Sequence, residues 1–128
     1  MKIKKIMGIG LLVTCLALSS VNIFAAPSVT GYCGQIKCTG SVSFGTDSAS
    51  ATTSAASSSV LCTASVDYKY GFGTETYYVN SDNSYPSSSV TAYVRADHYS
   101  VRNLGAIGTH GVYAASSSWY DVSSIGSF

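Results

Sequence analysis

Between Ile36 and Phe44, side-chain character changes at every residue. Ile36, Cys38, Gly40, Val42 and Phe44 are apolar or small, while Lys37, Thr39, Ser41 and Ser43 between them are polar. Successive side chains of an extended strand point to opposite faces, so this pattern gives one greasy face and one wet face. Val60–Tyr70 repeats it, with Val60, Cys62, Ala64, Val66, Tyr68 and Tyr70 on one side and Leu61, Thr63, Ser65, Asp67 and Lys69 on the other. Val90–Asp97 alternates again, with Val90, Ala92, Val94 and Ala96 against Thr91, Tyr93, Arg95 and Asp97. No helical period of comparable strength follows residue 26. The chain therefore reads as all-β.

Turn chemistry divides the strands. Gly71-Phe72-Gly73 predicts a hairpin in which Tyr70 pairs with Thr74, Lys69 with Glu75 across the polar face, and Val66 with Tyr78 on the buried face. Asp82–Ser87 has the composition of a loop. Ser48–Ser59 reads either as a Ser/Ala/Thr spacer or as a strand with a small-residue inner face. The strand is favoured, because the piece before it is too short to be a domain. Late strands are expected around Ala106–Ala115 and Trp119–Ser123. About seven short strands in one domain point to a small antiparallel β-sandwich.

The N-terminus has a different character. Lys2, Lys4 and Lys5 precede an uncharged apolar run from Ile6 to Leu18 and a small-residue stretch from Ser19 to Ala26. This is the layout of a secretory signal peptide, and its apolar run is short of the roughly 20 residues that span a bilayer. Residues 1–25 are therefore expected to be removed and residues 26–128 exported as a single domain. Leu12-Val13-Thr14-Cys15 loosely follows a lipobox, so lipid anchoring at Cys15 is the alternative. Thr14 and the apolar residues after Cys15 favour simple removal.

Beyond residue 25, four basic side chains (Lys37, Lys69, Arg95, Arg102) stand against six acidic ones (Asp47, Asp67, Glu75, Asp82, Asp97, Asp121), a formal charge of −2. No basic cluster marks a nucleic-acid or anionic-lipid surface. Cys33, Cys38 and Cys62 would meet an oxidising environment after export, and a stabilising disulfide is expected. Cys38 and Cys62 lie on apolar strand faces and are natural partners. Cys33 and Cys38 could instead bridge a hairpin if Gly34–Lys37 formed a four-residue loop. The spacing falls short of a zinc pattern.

For a hydrolase, the histidines are His98 and His110, with Asp97 and Asp121 close in sequence and no Gly-x-Ser-x-Gly elbow. Both histidines read as surface or loop residues without catalytic duty, and neither an enzyme nor a cofactor is expected. Aromatic residues carry more information. Tyr77, Tyr93, Tyr99, Tyr113 and Trp119, with Tyr120 beside them, suggest a binding face for cell-wall glycan or an envelope protein. Sparse charge on the strands also permits self-association.

The strand Gly40-Ser41-Val42-Ser43, the Ser/Ala/Thr segment, the Tyr68–Tyr78 hairpin and Thr109-His110-Gly111-Val112 followed by Trp119 resemble small secreted Ser/Tyr-rich proteins of Gram-positive bacteria. More coarsely, the layout is similar to the β-sandwich lactococcin-type bacteriocins, from which it departs in its three cysteines and acidic balance. The resemblance implies an exported β-sandwich with a binding or structural role at the cell envelope. A toxin acting on the walls of related bacteria is the alternative, and a small secreted hydrolase the third reading. It carries no functional residues over to this chain.

Overall fold

The computed structural model describes residues 2–3 and 26–128. Their strands are β1 (Lys2–Ile3), β2 (Ser28–Cys33), β3 (Ile36–Gly45), β4 (Ser48–Ala55), β5 (Leu61–Phe72), β6 (Glu75–Pro86), β7 (Ser89–Arg95), β8 (Arg102–Tyr113) and β9 (Ser118–Gly126). They form two sheets, ordered β1-β6-β5-β8-β9 and β2-β3-β4-β7. Every pairing is antiparallel except that of the two-residue β1 with β6. β6 lies against β7, β5 against β4 and β7, β8 against β3 and β4, and β9 against β2 and β3. The result is a sandwich of four long strands in each layer, with β1 added at one edge. Residues 1–25, read as a signal peptide and including Cys15, lie outside the described residues apart from Lys2 and Ile3. No helix among the described residues is long and apolar enough to cross a membrane.

The alternating rows of β3, β5 and β7 face the interior as their pattern requires. Cys38, Val42, Ala51, Cys62, Ala64, Val66, Tyr68, Ala92 and Val112 are all in the core. Small residues leave room for two large rings from the second sheet. A Cβ at Gly31 would collide with the indole of Trp119, and one at Gly40 with the imidazole of His110. Glycine here is a socket for an aromatic ring, because close packing leaves no space for an added methyl group.

The structure corrects several sequence expectations. The β5–β6 turn is Gly73-Thr74, and Gly73 has a φ of 61°. Phe72 pairs with Glu75, so Tyr70 lies opposite Tyr77, Lys69 opposite Tyr78 and Val66 opposite Ser81. The expected register was displaced by three residues because Gly71 and Phe72 continue the strand instead of turning it. An odd displacement exchanges the faces, which puts Tyr77 inward and Tyr78 outward. Asp82–Pro86 is not a loop but the end of β6, paired with Leu61–Ser65. An edge strand tolerates polar residues on both faces, and a proline at its terminus costs no central ladder bond. Ser28–Cys33 forms a strand that the alternation did not single out, and Ser48–Ala55 is a strand, not a spacer.

Cys33, Cys38 and Cys62 are buried, free thiols. The β2–β3 turn is only Gly34-Gln35, with Cys33 paired to Ile36 and Cys38 to Gly31. Cys33 and Cys38 are thus diagonal neighbours, whose Cα separation of about 7–8 Å in a ladder exceeds the usual disulfide range. Cys62 belongs to the opposite sheet. The Cys38 thiol donates to the Ile36 carbonyl at 3.3 Å, and Cys33 Sγ lies 3.6 Å from Ser117 Oγ. Burial pushes the thiols of Cys38 and Cys62 upward; the charges of Cys38 and Cys33 add to the rise at Cys62, whereas the Cys33 backbone opposes it at Cys38.

Candidate functional site

At the Gly73 end of the sandwich, direct cross-strand pairing stacks Tyr70 on Tyr77, with ring centroids 5.3 Å apart and planes 13° from parallel. Tyr68 continues the row inward, 5.3 Å from Tyr70 and 6.2 Å from Phe44. The connection from β7 to β8 then places His98 on the outer end of this row. Its ring stacks on Phe72 at 4.2 Å and 22°, and lies 4.7 Å from Tyr77 and 6.0 Å from Tyr70. Phe72 is 42 % exposed and the adjoining Tyr99 is 78 % exposed. A stack that begins in the core therefore ends at solvent.

Polar contacts fix the loop that carries His98. The Tyr70 hydroxyl accepts the Asp97 N–H at 3.1 Å and lies 3.2 Å from His98 Nδ1. Asp47, buried in the β3–β4 turn, accepts the Ser100 N–H at 3.0 Å and the Val101 N–H at 2.9 Å. Its own carbonyl accepts the Ala96 N–H at 2.8 Å. Asp47 and Ser100 both adopt positive φ, 53° and 57°. Asp is among the residues that tolerate this region best, and its carboxylate satisfies backbone donors that no strand can reach. Arg102 donates to the Gly73 carbonyl at 3.1 Å, joining β8 to the hairpin turn. Tyr77 donates to Glu75 at 2.7 Å, and this bond, more than desolvation, holds the phenol above its ordinary range. Burial pushes the Tyr68 phenol up to about 12.

Such a surface offers flat apolar rings with polar edges, suited to stacking on a sugar or another planar group while bonding to its rim. Of the residues expected to form the binding face, Tyr77 belongs to this stack, and Tyr99 follows His98 in the same loop. Tyr93 is exposed but lies on the outward face of the other sheet, opposite Ser50. Tyr113 is at the far end of β8, with its ring over Gly111 and close to Tyr120, which pairs with Gly111. Trp119 is only 8 % exposed and packs inward on Gly31. The aromatics expected to share one face thus divide among four places. Sequence reading missed Phe72, assigned to the turn, and Tyr70, assigned to the core. It also missed His98, whose neighbours come from strands distant in sequence.

His110 is not a surface or loop residue but a fully buried member of β8. The Thr53 hydroxyl donates to the Thr63 carbonyl at 2.7 Å and so accepts from His110 Nδ1–H at 2.9 Å. Nε2 then accepts the Ser123 hydroxyl at 2.7 Å. The chain Ser123–His110–Thr53 has the order of a nucleophile, a base and an orienting group, yet all three side chains are sealed from solvent. Burial alone lowers the imidazole to about 4. Its role is to satisfy polar groups between the sheets. Among the described residues, no group of three or more His, Cys, Asp or Glu is arranged to hold a metal ion. No family model, curated protein or solved structure matches this chain.

Proposed function

We propose that this chain is exported and acts as a small binding module at the cell envelope, with the Phe72–His98–Tyr77 end of the sandwich as its contact surface. The observation that carries this reading is the aromatic stack that runs from the core to solvent, where Phe72 stands exposed and the loop of His98 continues into the exposed Tyr99. Large rings left in water at a position braced by Tyr70 and Asp47 incur little ordering cost on contact, so they favour binding. The low charge of the domain suits a neutral, hydroxyl-rich ligand, which makes cell-wall glycan the preferred class and an envelope protein the second. Export is supported by Lys2, Lys4 and Lys5 followed by the apolar run.

The test is retention of residues 26–128 on stripped bacterial cell walls. A Phe72→Ala/Tyr99→Ala variant is expected to lose retention at least tenfold with an unchanged circular dichroism spectrum, whereas Tyr93→Ala retains it. Equal loss in both variants, or retention independent of all three residues, would remove the tip as the contact surface.

A further inference from the structure

The sheet edges are not equally covered. β9 donates the Ser124 N–H to the Ala26 carbonyl at 3.1 Å, and the last part of β6 is tied to β7 where Asn83 donates to the Thr91 carbonyl at 2.9 Å. The first part of β6 meets a different neighbour. Lys2 and Ile3 pair there in parallel with Tyr77 and Tyr78. A strand can therefore reach the outer N–H and C=O groups of β6, and the one that does so belongs to the segment read as a removable leader. From Glu75 to Tyr85 the strand has no Lys, Arg or Pro, the residues that most often guard an edge. On the outward face of the same strand, the buried Asn80 Oδ1 has no hydrogen-bond partner.

We infer that, once residues 1–25 are gone, the β6 edge pairs with β6 of a second copy of this chain, antiparallel about a two-fold axis at Val79. The inference rests on removal of the leader, not on the glycan reading. In this register Thr76 meets Asp82, Tyr77 meets Ser81 and Tyr78 meets Asn80, each pair occurring twice as the symmetry requires. No like charges oppose one another, and the Tyr78 hydroxyl is offered to the unpaired Asn80 amide. Two four-stranded layers become one continuous eight-stranded sheet flanked by two smaller ones. Seven residues on each side bury less than a standard interface of about 1,600 Å², so the dimer dissociates on dilution.

Apart from β1, both sheets, and the core among the described residues, lie within residues 26–128, which form the folding unit to test. Sedimentation equilibrium from micromolar to millimolar protein is expected to show a monomer–dimer equilibrium. A Tyr78→Lys/Asn80→Lys variant is expected to stay monomeric, and Tyr93→Lys, on the other sheet, to dimerise unchanged. Hydrogen exchange on the unaltered domain is expected to show protection of the Thr76–Asp82 amides rising with concentration, a result that needs no variant to fold. A monomer at every concentration, association that survives both lysines in a folded variant, or protection appearing at β2 or β9 instead would overturn the proposal. Mass determination of the N-terminus in protein recovered from producing cells tests leader removal separately. An intact N-terminus beside a dimerising 26–128 would refute the cut and not the edge.

Discussion

His110 carries the clearest pH signature in the molecule. Its folded-state value of about 4 lies below the ordinary 6.5 because a charged imidazole between the sheets would lose its hydration. In the unfolded chain the same ring takes a proton near pH 6.5, so acid favours unfolding from that point until the folded ring also titrates near 4. Urea midpoints are expected to be flat from pH 8 to 7 and to fall between pH 6.5 and 5, by about 2 kcal/mol of stability at one shifted group. His98→Gln should keep the fall. A flat profile from 7 to 5 would mean that His110 is solvated. Nothing in the sequence distinguished the two histidines. The sign of a buried one was in the partner strand, where Gly40 leaves room for a ring, and that pairing is visible only when β3 lies over β8.

At the scale of elements, the alternating pattern located β3 and β7 because each has one face in the core and one in water, and it located β5 by residue type although Ala64–Tyr68 are buried on both faces. β8 was harder to delimit, since residues 105–112 are buried on both faces and the two-residue period vanishes. Ser127 and Phe128 contribute to this cover: the Ser127 N–H bonds to Leu104 O, and the Phe128 ring meets Tyr78 at 5.6 Å. The hairpin register failed for a local reason. Two glycines flank Phe72, and only Gly73 takes the positive φ that turns the chain. The β7–β8 loop depends on one carboxylate. Asp47→Asn keeps the shape of the side chain but removes the charge that binds the Ser100 and Val101 amides. A loss of about 1.5–3 kcal/mol is expected in chemical denaturation, the range for hydrogen bonds to a charged group. Faster exchange of those two amides, with weaker wall retention, should accompany it. Unchanged exchange would place the support of His98 elsewhere.

For the whole molecule, all-β class and a two-layer sandwich followed from periodicity, whereas the candidate site did not. Its members come from β5, β6 and the β7–β8 loop, and no local pattern marks residues that meet only through the pairings of β5 with both β6 and β8. The C-terminal strand is equally dependent on distant partners. β9 supplies Trp119 over Gly31 and Ser123 to His110. Deletion of residues 114–128 is therefore expected to abolish cooperative thermal unfolding, because it empties a ring socket and leaves a buried imidazole nitrogen unpaired. A cooperative melt from the shortened chain would show that β2–β8 suffice.

The order of the strands also bears on the timing of folding. β5 waits for β8 and β4 waits for β7, so the first sheet acquires its centre, and the second its last edge, only from residues beyond 88. A chain still being synthesised has hairpins but no second layer to bury them against, and assembly by distant pairing is slow. Such a topology keeps the polypeptide threadable until its last strands are made. Closure of the sandwich is therefore a late event, set by the arrival of β8 and not by any local hairpin.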